Sequence, residues 1–127
     1  MDTKDMHVGI IIMSTFPDEK SAISAAERLI NKKLCACVNL TKVRSLYSWN
    51  NKLEDHEEYL ALFKSTSSAS KELKSNIERA HPYEVPEIVE LKMNKVSSSY
   101  MSWLAKSTKR NQKKGKNKNK LRIGKRS

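Results

Sequence analysis

Glycine is almost missing from the body of this 127-residue chain: of three glycines, Gly115 and Gly124 lie near the end and only Gly9 precedes them. A loop that cradles phosphate needs several glycines at close spacing, so a P-loop nucleotide site and a dinucleotide-binding fingerprint are both excluded. Long apolar runs are missing as well. Val8-Gly9-Ile10-Ile11-Ile12-Met13 extends over only six residues, against the ~20 needed to cross a bilayer, so no membrane span is expected. Asp2 and Asp5 make the start unlike a secretory leader, and none is expected. The two cysteines, Cys35 and Cys37, are too close in sequence to staple a secreted fold. They read as reduced thiols and predict a cytoplasmic location. No serine–histidine–acid or cysteine–histidine catalytic set is visible, and His7 and His56 read as isolated surface residues.

Acidic residues are missing from residues 106–127. All 14 lie before Lys106 together with 14 of the 25 basic residues, so that part is electrically balanced and the whole excess of +11 sits in the tail. The tail has only Leu121 and Ile123 to bury and cannot build a core. The sequence therefore predicts one folded domain over residues 1–108 and a basic, disordered tail over 109–127. Such a tail is either inert and solubilising, a weak nonspecific binder of polyanions, or a localisation signal.

What is present is a clear alternation of periods. Val8–Met13 is apolar and β-branched and predicts a strand buried on both faces. Asp18 is placed to cap a helix whose stripe is Ala22, Ala25, Ala26, Leu29 and Ile30. From Cys35 the period becomes two: Ala36, Val38 and Leu40 alternate, then Val43, Ser45, Tyr47 and Trp49 in the opposite phase. That switch predicts a bulge at Thr41-Lys42. Asn50-Asn51 is a turn signal, and a second long strand follows, centred on Tyr59–Phe63. Ser67-Ser68 can cap a second helix with Ala69, Leu73, Ile77 and Ala80 inward, stopped by Pro82 and Pro86. Ile88–Met93 predicts a fourth strand, and Ser97–Ser99 the start of a short helix carrying Tyr100, Met101, Trp103 and Leu104. The order β-α-β-β-α-β is that of an α+β, ferredoxin-like split-βαβ sandwich, here with a long central hairpin and an extra C-terminal helix.

Several segments carry a more specific signal. Thr15-Phe16-Pro17-Asp18-Glu19, Leu34-Cys35-Ala36-Cys37-Val38-Asn39 and His81-Pro82-Tyr83-Glu84-Val85-Pro86-Glu87-Ile88 occur with Ser45-Leu46-Tyr47-Ser48-Trp49 and Tyr100-Met101-Ser102-Trp103-Leu104, in this order. Over residues 7–108 the chain resembles the CutA divalent-cation tolerance family. That resemblance implies a fold similar to the PII signalling proteins and a homotrimer whose long hairpins pair between subunits. It also implies a link to copper tolerance, Cu(II) binding in some members, and no established reaction. Some animal members are associated with anchoring an enzyme at membranes, which keeps a trimeric scaffold among the readings. Ser14 and Ala80 stand where some relatives carry a thiol and a second histidine, and Asn50-Asn51-Lys52 replaces a common turn.

These readings nominate residues. His81, Glu84 and Glu87 offer an imidazole and two carboxylates, a donor set suited to a divalent transition metal such as Cu(II). The opposing reading makes that segment a proline-stiffened structural corner. Cys37, with Cys35, would share one strand face and could hold a soft metal, or simply pack. Tyr47, Trp49, Tyr59 and Phe63 are expected in the core or at the subunit interface, since no RNP-like box accompanies them. The function expected is that of a nonenzymatic trimer in divalent metal tolerance or response, with no obligatory cofactor. The alternatives are a nucleic-acid-binding module that uses the tail, and a scaffold for a protein partner.

Overall fold

In the computed structural model, which describes residues 8–108, three β-branched isoleucines and one phenylalanine set the centre of the sheet. Strand β1 (Gly9–Phe16) turns Ile10, Ile12 and Phe16 to one side, each at most 1% exposed. Helix α1 (Glu19–Asn31) lies on that side, capped by Asp18, whose Oδ1 accepts from the Ser21 amide at 2.7 Å. Ala22, Ala25 and Leu29 bury as the spacing predicts, and their small side chains let the helix sit close on the sheet; Ile30 falls off the stripe and is 39% exposed. The helix ends in a Schellman turn with Lys33 at φ 61°, a left-handed position where glycine is usual.

Strands β2 (Cys37–Trp49) and β3 (Lys52–Thr66) form the expected hairpin. Asn50 and Asn51 both take positive φ, 53° and 65°, as a two-residue turn of matching twist requires. A short 3-10 turn (Ser67–Ala69) precedes α2 (Ser70–Ala80), with Leu73 and Ile77 inward. Strand β4 (Val89–Lys92) and α3 (Ser98–Ser107), capped by Ser97, follow. The sheet order is β2-β3-β1-β4, antiparallel throughout, with α1 and α2 packed on one face against Ala61, Phe63, Leu34 and Cys35. This is the ferredoxin-like α+β sandwich with the extra helix. The basic segment 109–127 and residues 1–7 lie outside the described residues.

The predicted bulge does not form. Cys37↔Lys64 to Trp49↔Lys52 is one unbroken register. The apolar phase changes because the environment changes. Val38 and Leu40 lie against the helix-covered core. Beyond the Phe16↔Tyr59 pair β1 has ended, and residues 43–58 project past it. Strand β2 also starts later than the alternation suggested, at Cys37, leaving Cys35 in the preceding loop.

Gly9 explains why one glycine persists in the body. A methyl group there would sit 2.6 Å from Met93 Sδ and 3.3 Å from both Leu104 and Met101 Sδ, so a side chain at this position would displace Met93 and press on α3. Gly9→Ala should destabilise the fold by about 1–3 kcal/mol through overpacking, read as a lower urea midpoint. Adding Met93→Ala should recover part of that loss, because the tightest neighbour is then gone.

Candidate functional site

Two prolines force α2 to stop and carry the chain across the end of β1. His81, which precedes Pro82, is extended at φ −75°, ψ 138°, as a residue before proline prefers. Its ring stacks on Phe16 with centroids 4.3 Å apart. Nε2 lies 2.9 Å from the Thr15 carbonyl oxygen, and Nδ1 accepts the Tyr83 amide at 3.1 Å. The geometry assigns one tautomer: Nε2–H donates and Nδ1 accepts, in a neutral ring. Burial pushes the His81 pKa below the usual histidine value, outweighing the Thr15 hydrogen bond and the attraction of Glu58. Among the described residues this histidine has no free nitrogen for a metal.

Tyr83 follows in the same segment. Its hydroxyl donates to Glu58 Oε2 at 2.5 Å, a length found where a hydroxyl meets a carboxylate. Burial first, then Glu58, push the Tyr83 hydroxyl well above its ordinary pKa. Glu58 sits on β3 opposite Val43 and is only 4% exposed. Tyr47 on β2 also titrates high, through burial and then the charges of Glu58 and Glu54. Together these groups border a cleft of about 750 Å³ that runs between the projecting hairpin arm and the 81–87 segment as far as Trp49 beside the turn, and that Glu84 and Glu87 also line. Arg44 on the same cleft is already engaged: its Nε and Nη2 each reach an Asp55 carboxylate oxygen at 2.8 Å.

The nominated residues separate under this geometry. Glu84 and Glu87 are exposed and share the cleft with Glu58, but His81 is turned to Thr15. No group of three or more histidine, cysteine, aspartate or glutamate side chains able to hold a metal occurs among the described residues. His81, Glu84 and Glu87 therefore do not fit Cu(II) as a ready-made set within one chain. Cys35 and Cys37 do not share a face either. Cys35 is 1% exposed in the helix-covered core, where burial raises its thiol to about 12. Cys37 pairs with Lys64 at the start of β2 and alternates with core-facing Val38, so it points to the opposite side of the sheet. Of the four hairpin aromatics, Phe63 is fully buried in its own chain, 6.4 Å from Phe16, and cannot meet a neighbour. Tyr59 packs half-buried on the same core. Tyr47 and Trp49 are exposed at 38% and 45%.

Glu58 is not among the nominated residues, and Tyr83 enters them only as part of the His81–Ile88 segment. The local pattern does not single Glu58 out: Glu57 is in phase with core-facing Tyr59, Ala61 and Phe63, Glu58 with Leu60 and Leu62 on the other face, and it is the long-range contact with Tyr83 that sets Glu58 apart.

Two outcomes follow. The neutral His81 ring stabilises the fold fully above about pH 6.5, the value in an unfolded chain, and this contribution is lost as pH falls through the depressed folded value. Urea midpoints should therefore drop on acidification below that point, and His81→Phe, which keeps the stack, should show a smaller drop from a baseline lowered by about 1–3 kcal/mol. In the native protein at pH 8, iodoacetamide should modify Cys37 and leave Cys35 intact, with both reacting after denaturation; mass spectrometry reads the difference.

The arrangement is matched elsewhere. The family model described as CutA1 divalent ion tolerance protein covers residues 10–107. The chain is 40% identical over 98 residues to the divalent-cation tolerance protein CutA of Thermotoga maritima, spanning 77% of this chain and 97% of that one. Its fold is similar to the crystal structure of CutA1 from Pyrococcus horikoshii, with a TM-score of 0.77 and 37% identity over 80% of this chain and 99% of that one. It is also similar to the structure of the protein described as periplasmic divalent cation tolerance protein CutA from Archaeoglobus fulgidus, with a TM-score of 0.76 and 27% identity over 78% and 97%. With the sheet order, the hairpin and the intact His81–Ile88 segment in place, this chain belongs to the CutA1 divalent ion tolerance family.

Proposed function

We propose that this protein acts in divalent-ion tolerance as a homotrimer in the cytoplasm, by binding rather than by catalysing a reaction, and with no obligatory cofactor. The observation that carries the reading is the family match from residue 10 to residue 107, nearly the whole described chain. Two features support assembly. The sheet face away from α1 and α2 is apolar and open at one edge, where Val89 and Leu91, paired with Met13 and Ile11, stay 42% and 45% exposed. Strand β2 is an edge strand with no partner on its outer side among the described residues, and unpaired edges are normally covered. The number three comes from the family resemblance, and Tyr47 and Trp49 are the hairpin aromatics available to a neighbour.

Binding rather than catalysis accords with how the reactive groups are held. The Cys35 thiol is buried with its pKa raised, and both His81 nitrogens are occupied. Copper enters this reading weakly. Glu84 and Glu87 are the accessible oxygen donors and Cys37 the accessible thiol, while His81 serves as a structural pin.

A second reading rests on one observation, the 11 basic residues and no acidic one beyond Ala105. It makes the tail a salt-sensitive polyanion binder. Truncation after Thr108 should then abolish binding to a DNA duplex that the intact chain retains at low salt.

Light scattering should give a mass three times that of the chain over a wide concentration range; a monomer would remove the assembly. Cu(II) titrated into this trimer and into a His81→Ala trimer should bind both weakly and alike. Binding lost only in His81→Ala would return the imidazole to the metal.

A further inference from the structure

We propose that the end of the molecule where β1 begins is a docking surface for the phosphate backbone of a nucleic-acid duplex, shared between lysines of the folded domain and the basic segment that follows Thr108. This rests on the reading of the tail as a polyanion binder and adds to it a folded surface on the helix side.

The strand register gathers several connections at that end. Gly9 pairs with Thr66 and Cys37 with Lys64, the Met93 amide donates to the Gly9 carbonyl, and Ser65 Oγ donates to the Leu34 carbonyl just past α1. The last turn of α1, the start of α2 and the loop after β4 therefore lie there together, and α3 closes under them with Leu104 and Met101 at Gly9. Residues 28–36, 64–73 and 92–97 carry seven basic residues and one acidic residue, Glu72, and α3 adds Lys106 and no acid. Lys32, Lys33, Lys71, Lys92, Lys95 and Lys106 are all exposed. The opposite end has the reverse balance, since residues 43–58 and 81–87 hold six acidic residues and two basic ones. A helical turn past Leu104, at Thr108, the chain passes into residues 109–127, which carry ten more basic residues and no acidic one. The excess charge gathers at one pole.

Two features separate this pole from an ordinary solvated surface. The ion pairs among the described residues use Lys42, Arg44, His56 and Lys74, and none of the six lysines. Their mutual repulsion is relieved when a polyanion docks and releases its own counterions. Lys32 and Lys33 also complement the negative end of α1, but Lys71 opposes its helix: it is the second residue of α2, where a cation meets the positive end of the dipole. A residue set against its local structure marks a functional surface. The chemistry then selects a duplex. Residues 28–36, 64–73 and 92–97 hold no aromatic side chain to stack unpaired bases, so the contacts go to phosphates. The tail interleaves Asn111, Gln112, Asn117 and Asn119 with its lysines, side chains that hydrogen-bond phosphate and sugar, and has only Leu121 and Ile123 for a lipid surface.

The test uses the full chain, with fold and oligomeric state measured for each variant. Binding to a fluorescent DNA duplex of arbitrary sequence, about 20 base pairs long, is followed by anisotropy from about 50 to 200 mM NaCl. Lys32→Glu/Lys71→Glu should bind about tenfold more weakly than the wild type, with a salt slope shallower by about two. Lys20→Glu/Arg79→Glu makes the same charge change at the other ends of the same two helices and should stay within about twofold of the wild type, since salt screens distant charges. Where the first pair does not fold, Lys32→Gln/Lys71→Gln against Lys20→Gln/Arg79→Gln supplies the reading, with about a threefold loss expected in the former only. Equal losses in the two pairs, or none in either, would overturn the folded surface and leave the tail reading standing. A wild type that does not bind the duplex would overturn both. Tighter binding to phosphatidylserine vesicles than to the duplex, at equal phosphate and salt, would overturn the proposal in favour of a membrane surface.

Discussion

Strand β1 ends at Phe16 because Pro17 has no N–H to offer the ladder, while β3 runs on from Tyr59 back to Lys52 with no strand paired to it on that side among the described residues. The mismatch leaves the hairpin projecting and opens a notch at its base. The 81–87 segment occupies that notch. It is held there by His81, wedged between the Phe16 ring and the Thr15 carbonyl, and by Tyr83, which reaches Glu58 on β3. The cleft and the buried carboxylate both follow from β1 being shorter than β3, while the free edge of β2 follows from the strand order.

The elements were legible because local signals agreed with global ones. Asp18 and Ser97 cap the helices they precede, Asn50-Asn51 makes the turn, and the alanine stripe of α1 buries as its spacing predicts. The hairpin was misread where the pattern reports environment rather than geometry. A change of apolar phase at Thr41 looks the same in sequence whether the strand gains a residue or loses its cover, and here it loses its cover. Ile30 was misplaced by the same limit, since periodicity does not say where a neighbouring surface stops.

The site was legible as a segment but not as chemistry. His81-Pro82-Tyr83-Glu84-Val85-Pro86-Glu87 stands out by its residues, and the donor types suggest a metal. Which donors are free depends on long-range contacts: His81 meets a carbonyl 66 positions away and Tyr83 a carboxylate 25 positions away. No spacing rule encodes either. The same holds for Cys35 and Cys37, which are adjacent in the alternation yet lie on opposite sides of the sheet because β2 starts between them.

The central claim is that His81 is a structural pin, held neutral and doubly hydrogen-bonded. Long-range ¹H–¹⁵N correlation spectra of the imidazole across pH 5–8 test it most directly. The account predicts an Nε2–H, Nδ1-bare signal for His81 that persists below pH 6.5 and stays sharp on adding substoichiometric Cu(II). A His81 signal that titrates like a free histidine, or that Cu(II) selectively broadens, would contradict it.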